Sequence, residues 1–239
     1  MTIAIAHKSV GNSATPTITA TTAGNCLIVC VSAFYSGTPS SISGITLGGA
    51  ADNFAQLIAP ANAGNSAALM WADPNCAGGQ TAVSISGSGL NVGAGLGGVV
   101  IYEVSGLPLT LGALLDKSSA GTSTSSGSWS SGTTAATTQA SELWVGIVNA
   151  GGSAVVGPGA PWANDQPGGS AALAGTQVTT STGTAVYSGT QNVSSYAALV
   201  ATLKAVATPG GEPMNARGWI MSGFDVNTGM LGAEGISGP

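Results

Sequence analysis

Residues 19–33, TATTAGNCLIVCVSA, return in altered form at residues 135–149 as AATTQASELWVGIVN. At an offset of 116 positions the alignment pairs Leu27 with Leu143, Val29 with Val145, and Val31 with Ile147. Each segment holds a short apolar run with β-branched residues, which is typical of a strand. Two halves that each expose an apolar sheet face can bury both faces by stacking. The repeat therefore predicts a sandwich of two facing sheets.

The rest of the chain is also β-like, with runs of Val, Ile, Thr and Tyr between Gly, Ser, Asn and Pro clusters. We predict strands at Thr17–Thr21, Cys26–Phe34, Ile42–Leu47, Ala67–Trp71, Thr81–Ser86, Val99–Val104, Thr133–Thr138, Leu143–Asn149, Ala171–Thr179, Thr184–Ser188 and Ala197–Val206. Two tandem domains would also produce a repeat, but each would hold only about 100 residues and few core aromatics. The favoured interpretation is an all-β fold, a two-sheet, jelly-roll-like β-sandwich over residues 1–206.

Two segments do not follow this pattern of strands and turns. Residues 118–134 are almost purely Ser, Thr and Gly, and predict a flexible linker or an exposed hairpin that carries Trp129. Residues 207–213, ATPGGEP, mark a boundary, so residues 207–239 are interpreted as an extended C-terminal tail. The tail either packs on its own domain or docks on a partner. Its candidate docking residues are Met214, Trp219, Met221, Phe224, Met230 and Leu231.

Charged residues form only 5% of the chain, against about 25% in ordinary globular proteins. The hydrophobic share of 44% is high enough for a buried core. Surfaces so poor in charge repel each other weakly and suit dense assemblies. The cations, Lys8, Lys117, Lys204 and Arg217, do not cluster, which argues against a nucleic-acid partner.

Three cysteines cannot all pair, and Cys26 and Cys30 lie too far apart to bridge on one strand. We interpret Cys26, Cys30 and Cys76 as small buried hydrophobes. The N-terminus shows no cleavable leader pattern, and no apolar run is long enough for a membrane helix, so membrane insertion is not expected. No cofactor is expected either.

Motifs for catalysis are weak. Residues 93–98, GAGLGG, match G-x-G-x-x-G but precede the strand-like VVIYEV instead of a helix. His7 is the only histidine, and no G-x-S-x-G elbow occurs, so no catalytic or metal residues are assigned. A glycan-degrading enzyme would need two of the nine scattered acids to face each other across a cleft. Residues 225–229, DVNTG, begin like a calcium loop but lack its later ligands.

Two tryptophans, Trp129 and Trp162, fall in Gly, Ser and Pro-rich stretches. Such a side chain either stacks on a sugar ring or caps one end of a sandwich. Capping is the more common outcome, and sugar contact by these two residues is the alternative. Trp71 and Trp144 lie in strand patterns and are predicted to be core.

Four stretches can be compared with known proteins: the opening MTIAIAHKSVGNSATPTITATTAGNCLIVCVSAF, then GGVVIYEVSGL, then LDKSSAGTSTSSGSWSSGTTAATTQASELWVGIV, and YAALVATLKA near residue 206. In these stretches the chain resembles bacteriophage virion proteins of the minor-tail, fibre or decoration type. Related β-sandwich modules also occur in bacterial surface proteins. The resemblance implies a jelly-roll-like sandwich displayed on a particle, often as a trimer.

The sequence thus predicts a non-enzymatic virion structural protein, a capsid decoration or minor tail subunit. Its expected partners are other virion proteins of the capsid or tail and further copies of itself. Its expected location is the virion surface, after assembly in the host cytoplasm. The alternative is a carbohydrate-binding adhesin that recognises a glycan of the host surface through loop aromatics. A glycan-degrading sandwich enzyme is a third hypothesis.

Overall fold

The computed structural model describes residues 2–167 and 169–206, which form fourteen strands and one short helix, α1 (Leu111–Leu114). The first half contains β1 (Ala4–Gly11), β2 (Cys26–Phe34), β3 (Ser41–Leu47), β4 (Ala50–Ala51), β5 (Ala55–Ala63), β6 (Ser66–Asp73), β7 (Val83–Ser88) and β8 (Gly98–Ser105). The second half contains β9 (Leu115–Ser130), β10 (Ser141–Asn149), β11 (Val155–Val156), β12 (Ala163–Asp165), β13 (Ala172–Thr180) and β14 (Ser188–Lys204).

All strand pairs are antiparallel, and the strands form two large sheets and a small one. The first sheet has the order β1-β8-β2-β6-β5. The second has the order β9-β14-β10-β13-β12, with β11 also paired to β14. The small outer sheet is β4-β3-β7. The predicted all-β sandwich is confirmed, and each large sheet takes all its strands from one half of the chain.

The two large sheets are copies of one design. Their central strands, β2 and β10, have equivalent neighbours on both sides. The edge strands β1 and β9 each carry a register shift at the same place, which leaves Ala6 unpaired in one and Asp116 in the other. Since a bulge is a position-specific feature of a strand, its recurrence indicates that the sequence repeat is a structural duplication.

The alignment of the repeat is nevertheless wrong by one residue along the central strands. Leu27 faces the outer sheet, whereas Leu143 faces the other large sheet. The residue equivalent to Leu27 is Trp144, on the outer face of the second sheet. Side chains alternate along a strand, so a slip of one position moves every residue to the opposite face. One extra residue between Thr137 and β10 accounts for the slip.

Contacts between the large sheets also occur in equivalent pairs. At one side of the sandwich Lys8 of β1 and Tyr102 of β8 contact Asp165 of β12. At the other side β9 and β14, the counterparts of β1 and β8, contact β5, the counterpart of β12. In the middle β2 contacts β10. The halves are therefore packed like the two subunits of a symmetric dimer, joined in one chain.

Three apolar layers hold the fold together. The layer between the large sheets includes Ile28, Cys30, Met70, Leu143 and Leu199, all at 0% exposure. A second layer lies between the first sheet and the outer sheet, and a third covers the outer face of the second sheet. All three cysteines are free and buried, as predicted from their place in apolar runs.

The third layer is covered by two extended segments that are joined by hydrogen bonds. In these bonds side-chain hydroxyl oxygens accept backbone N–H groups that carbonyl oxygens would accept in a β-sheet. Ser131, Thr134 and Thr137 donate their backbone N–H to the carbonyls of Tyr187, Ala185 and Gly183, at 2.9, 3.0 and 2.8 Å. The N–H groups of those three partners return to the side-chain oxygens of the same Ser and Thr residues, at 3.0, 2.9 and 3.1 Å. The predicted strands Thr133–Thr138 and Thr184–Ser188 are therefore extended segments joined through side chains.

Residues 118–134 are the main correction to the sequence-based interpretation. They are neither linker nor exposed hairpin, because Leu115–Ser130 form β9, paired along β14. The ribbon is irregular where the serines are densest. There Ser123 and Ser126 accept the N–H of Ser125 and Ser128 on their hydroxyls, at 3.2 Å each. These local bonds satisfy backbone groups that an irregular ladder leaves without a partner.

Other differences concern short or edge elements. The predicted strand Thr17–Thr21 is an extended segment bonded to residues 80–81, and β1, β4, β5, β11 and β12 were not predicted. Edge and two-residue strands lack the continuous apolar pattern by which strands are recognised. The described fold reaches Val206, and the predicted tail at 207–239 lies outside the described residues. No helix in the described part of the chain is long and apolar enough to cross a membrane.

We predict that Thr134→Val lowers the free energy of unfolding by about 1–3 kcal/mol. Valine keeps the shape of threonine but leaves the Ala185 N–H buried without an acceptor. Thr133→Val is the matched control, since Thr133 is exposed and makes no such bond. Urea unfolding of the two variants and the parent measures the effect, and equal midpoints for both variants would contradict it.

Candidate functional site

The main candidate site is a cavity between the edges of the two large sheets, which we call the edge pocket. It has a volume of about 330 Å³. It is lined by Ile5, Ala6, His7, Lys8, Tyr102, Ala163, Asp165 and Thr176. It lies beside β12, which is only three residues long where its counterpart β5 has nine. The shortened strand leaves the space that the pocket occupies.

Asp165 is the polar centre of the edge pocket. Its carboxylate accepts the Tyr102 hydroxyl at 3.0 Å and is ion-paired with the Lys8 ammonium. The Asp165 side chain is 9% exposed, whereas that of Lys8 is 52% exposed. Burial raises the pKa of Tyr102 well above its ordinary value, and the charge of Asp165 adds to this, so the phenol stays a hydrogen-bond donor. The site therefore presents a fixed carboxylate and an ammonium that solvent can reach.

His7 lies at the rim of the edge pocket, but its side chain forms a hydrogen bond on the opposite face of β1. Its Nδ1 lies 2.7 Å from Oε2 of Glu103. Glu103 also accepts the Thr22 N–H at 2.8 Å and the Asn25 amide at 2.7 Å. Burial alone would raise the pKa of Glu103, but these hydrogen bonds outweigh it and lower the pKa. Within the described residues His7 makes no hydrogen bond to a Ser or Cys, so the geometry contains no nucleophile activated by this imidazole.

The duplicated half shows that the fold does not need these polar residues. The position equivalent to Asp165 is occupied by Ile58, which packs against the core between the sheets. The positions equivalent to Lys8 and Tyr102 are occupied by Ser118 and Ala201. One side of the sandwich is thus closed by apolar packing, and the other carries a polar cavity. Departures from the packing rule of a fold are expected at functional sites.

The arrangement suits binding more than bond breaking. Asp165, Lys8 and Thr176 line one small cavity, and their carboxylate, ammonium and hydroxyl groups can hydrogen-bond the hydroxyl groups of a polar ligand. The sequence contained a partial signal for this region. Glu103 interrupts the apolar run VVIYEV, and an acid inside a buried strand needs a partner. Asp165 and Lys8 gave no such signal, because they are 157 positions apart.

Asp116 and Glu142 form a buried carboxyl pair at one end of the second sheet. Asp116 accepts the Thr138 N–H at 2.5 Å and its hydroxyl at 2.7 Å, and Glu142 accepts the Trp144 indole at 3.2 Å. Burial and the neighbouring Asp116 raise the pKa of Glu142 to about 7. Burial alone would raise the pKa of Asp116, but the hydrogen bonds from Thr138, Glu142 and Lys117 outweigh it and lower the pKa to about 2. Glu142 therefore holds the shared proton.

This pair does not provide the geometry of a glycosidase. The side chain of Asp116 is 3% exposed and Glu142 is 0% exposed, so no sugar ring fits between the two carboxyl groups. A second interacting pair, Asp52 and Asp73, lies near Cys76. Burial, with a smaller effect of Asp52, raises the pKa of Asp73 to about 6. Both pairs are explained by burial within the fold.

Trp129 is buried at 1% exposure, so it offers no ring face to a sugar. Its ring centroid lies 5.0 Å from that of Tyr187, and its indole donates to the Thr190 carbonyl at 3.2 Å. The ring centroid of Trp162 also lies close to that of Tyr187, at 4.8 Å, and Trp162 is half-buried. Both residues cap the outer face of the second sheet. Trp144 is buried as predicted, and Trp71 is partly buried against the core.

The remaining sequence motifs have structural explanations or lie outside the described residues. Residues 93–98 form a turn that leads into β8. Burial raises the pKa of the Cys76 thiol to about 12, and burial also raises those of Cys26 and Cys30. Over residues 2–167 and 169–206 no three His, Cys, Asp or Glu side chains come together as metal ligands. The calcium-like residues 225–229 and the tail residues Met214, Trp219, Met221, Phe224, Met230 and Leu231 lie beyond Val206, where nothing is described.

We predict that the free energy of unfolding contains a term from Glu142 that falls as the pH rises from about 4.5 to about 7. The unfolded chain ionises Glu142 near 4.5, whereas the folded chain keeps the proton until about pH 7, so the term is complete below 4.5 and is lost through 7. Glu142→Gln keeps an acceptor for the Trp144 indole and has no proton to lose. At pH 8 this variant is expected to exceed the parent by on the order of 2–3 kcal/mol.

Guanidinium unfolding of parent and variant from pH 4 to pH 8 measures this difference. The contributions of the other carboxyl groups cancel when the free energy of unfolding of the parent is subtracted from that of the variant. The stabilities are expected to agree near pH 4, to separate progressively above about pH 4.5 and to differ by a constant amount above about pH 7, and a difference that does not change with pH would contradict the assignment of the proton to Glu142.

No protein-family model matches this chain, no curated protein matches it, and no solved structure matches it. The comparison that remains is between the two halves of the chain. The edge pocket is the clearest difference between the two otherwise equivalent sides of the sandwich. The likeness to phage virion proteins stays a prediction.

Proposed function

We propose that this chain is a non-enzymatic structural protein of a bacteriophage virion, a capsid decoration or minor tail subunit that acts by assembly on the particle. The observation that carries the proposal is where the few charges lie. Lys8 pairs with Asp165, Lys117 with Asp116, and His7 with Glu103. The carboxylate of each pair is buried and is held by hydrogen bonds within the fold.

The surface that remains is rich in Ser, Thr, Ala and Gly. Exposed positions of β3, β7 and β9 are largely Ser, Thr and Gly. Surfaces of this kind repel each other weakly, and many copies can pack closely at the high local concentration of a particle. Three apolar layers in a chain of 239 residues support a rigid body for such a role.

Residues 207–239 stay the predicted docking arm of this subunit. The described residues of the three apolar layers all lie before residue 207, and Val206 donates its N–H to the Gly106 carbonyl at 2.8 Å. Removal of residues 207–239 therefore leaves every described contact of the sandwich in place.

We expect the chain to be a constituent of virions purified by density gradient from a lysate of cells that produce the phage encoding it. Quantitative mass spectrometry of the particle band is the measurement. Peptides of this chain should occur in a fixed ratio to the major capsid or tail protein in repeated preparations. Their absence from particles, with the chain present in the unfractionated lysate, would refute the proposal.

The arm is tested separately by adding the full chain or residues 1–206 to particles that lack the protein. Loss of binding by residues 1–206 assigns docking to the arm, and equal binding assigns it to the sandwich. Folding of the shorter chain is checked first by its thermal unfolding.

A second function, recognition of a host-surface saccharide, is favoured by the edge pocket. Its volume of about 330 Å³ accommodates one sugar residue, and its lining supplies hydrogen-bond donors and an acceptor. This proposal keeps the ligand class expected from the sequence but moves the contact away from the buried Trp129. Asp165 and Lys8 are its recognition residues.

We predict that Asp165→Asn weakens binding to any bacterial-surface oligosaccharide that the parent protein retains on a printed panel, by about tenfold. The loss follows from removal of a charged acceptor that Tyr102 and Lys8 hold in place. Lys204→Met is the matched control, since Lys204 does not line the pocket. A panel without any retained sugar, or equal binding by Asp165→Asn, would rule out this second function.

A further inference from the structure

Besides the two-residue β11, the two large sheets have four edge strands, and three of these carry a feature that hinders pairing with another strand. Strand β5 contains Pro60 and two register shifts. Strand β12 has only three residues. Strand β1 carries His7 and Lys8 on its seven-residue paired stretch. Proline, short length and charge are the devices by which natural proteins protect sheet edges.

The fourth edge, β9, lacks these features over residues 118–123, SSAGTS. These residues pair with β14 in unbroken register, from Ser118 opposite Ala201 to Ser123 opposite Tyr196. They include no charge, no proline and no large side chain. The position equivalent to Lys8 of β1 is Ser118. The duplication thus gives two equivalent edges, of which one is charged and the other is not.

The outer backbone groups of this edge have no partner among the described residues. Every backbone hydrogen bond of residues 118–122 there goes to β14. Ser118, Ala120 and Thr122 are exposed. An edge with free N–H and C=O groups and small side chains is a template for one more strand.

We propose that residues 118–122 pair with the same residues of a second copy of this chain, in antiparallel orientation about a twofold axis at Ala120. The occupant is a second copy because the segment is complementary to itself. It brings no like charges together, and its small side chains leave room for the facing strand. The second sheets of the two copies then become one continuous sheet.

The inference rests on the proposed function, since it names how copies of a structural subunit associate. It also commits to a dimer, because pairing about a twofold axis closes after two copies. A trimer, which the resemblance to virion proteins implies, needs a different interface. The test uses the full chain in solution without particles, so its outcome is separate from that of the virion measurement.

The experiment is the solution mass of the full chain by chromatography with light scattering, over a hundredfold range of concentration. The parent is expected at twice the chain mass of 22.9 kDa. Ala120→Lys sets two like charges directly opposite each other, and Thr122→Lys adds a charge to the same edge, opposite Ser118 of the second copy. Each variant is expected at the mass of one chain. Ser84→Lys is the control, since it adds the same charge to the exposed face of β7, whose edge is bonded to residues 14–16.

Thermal unfolding of all four proteins verifies that each variant folds. Amide hydrogen exchange supplies a second measurement, in which residues 118–122 exchange more slowly in the parent at high concentration than in Ala120→Lys. A parent protein that is monomeric over the whole range, or trimeric, overturns the proposal. So does a dimer that persists in both lysine variants, or one that Ser84→Lys dissociates as well.

Discussion

Both faces of the two central strands must be covered, and the rest of the architecture follows from this constraint. Strand β2 buries eight of its nine residues, and β10 likewise buries all but its first. A sheet whose two faces are apolar cannot have one face in water. Stacking the large sheets covers one face of each. The outer sheet covers the remaining face of the first, and the two hydroxyl-bonded extended segments with their aromatic cap cover that of the second.

The two outer layers solve the same problem by different means. In the first half a three-stranded sheet supplies apolar side chains, and in the second half Tyr187 and Ala185 supply them from extended segments that are not strands, with Trp129 added from the end of β9. Those segments are fixed by hydroxyl groups. Thr21 forms the same bond pair with Gln80 in the first half that Thr137 forms with Gly183 in the second. Some of the many Thr and Ser residues of this chain thus serve to hydrogen-bond the backbone of segments that are not β-strands.

The sequence was sufficient for the buried part of the fold and insufficient for its edges. Strand β2 was predicted with its observed bounds, because a continuous apolar run is unambiguous when both faces are buried. Strand β9 was not predicted, because Ser and Gly have low strand propensity and only pairing with β14 makes the segment extended. The face of β10 was misassigned because a repeat alignment does not reveal a single inserted residue in a loop.

The site was still less accessible from sequence. Glu103 and Glu142 stand out as acids within apolar strands, but their partners come from distant strands whose register is set only by folding. The edge pocket depends on the length of β12 and on Asp165, and neither has a local signature. Trp129 was conspicuous in a Gly and Ser-rich stretch, yet it is buried because the ribbon that carries it folds onto the outer face of the second sheet.

The duplication has an evolutionary consequence. Two equivalent copies of one design allow selection to act on them separately. Ile58 seals the sandwich on its side, and the counterpart position at Asp165 is free of that task. The edge pocket takes its lining from both halves, yet mutations there leave the apolar packing on the opposite side of the sandwich intact, so this lining can vary without loss of that packing.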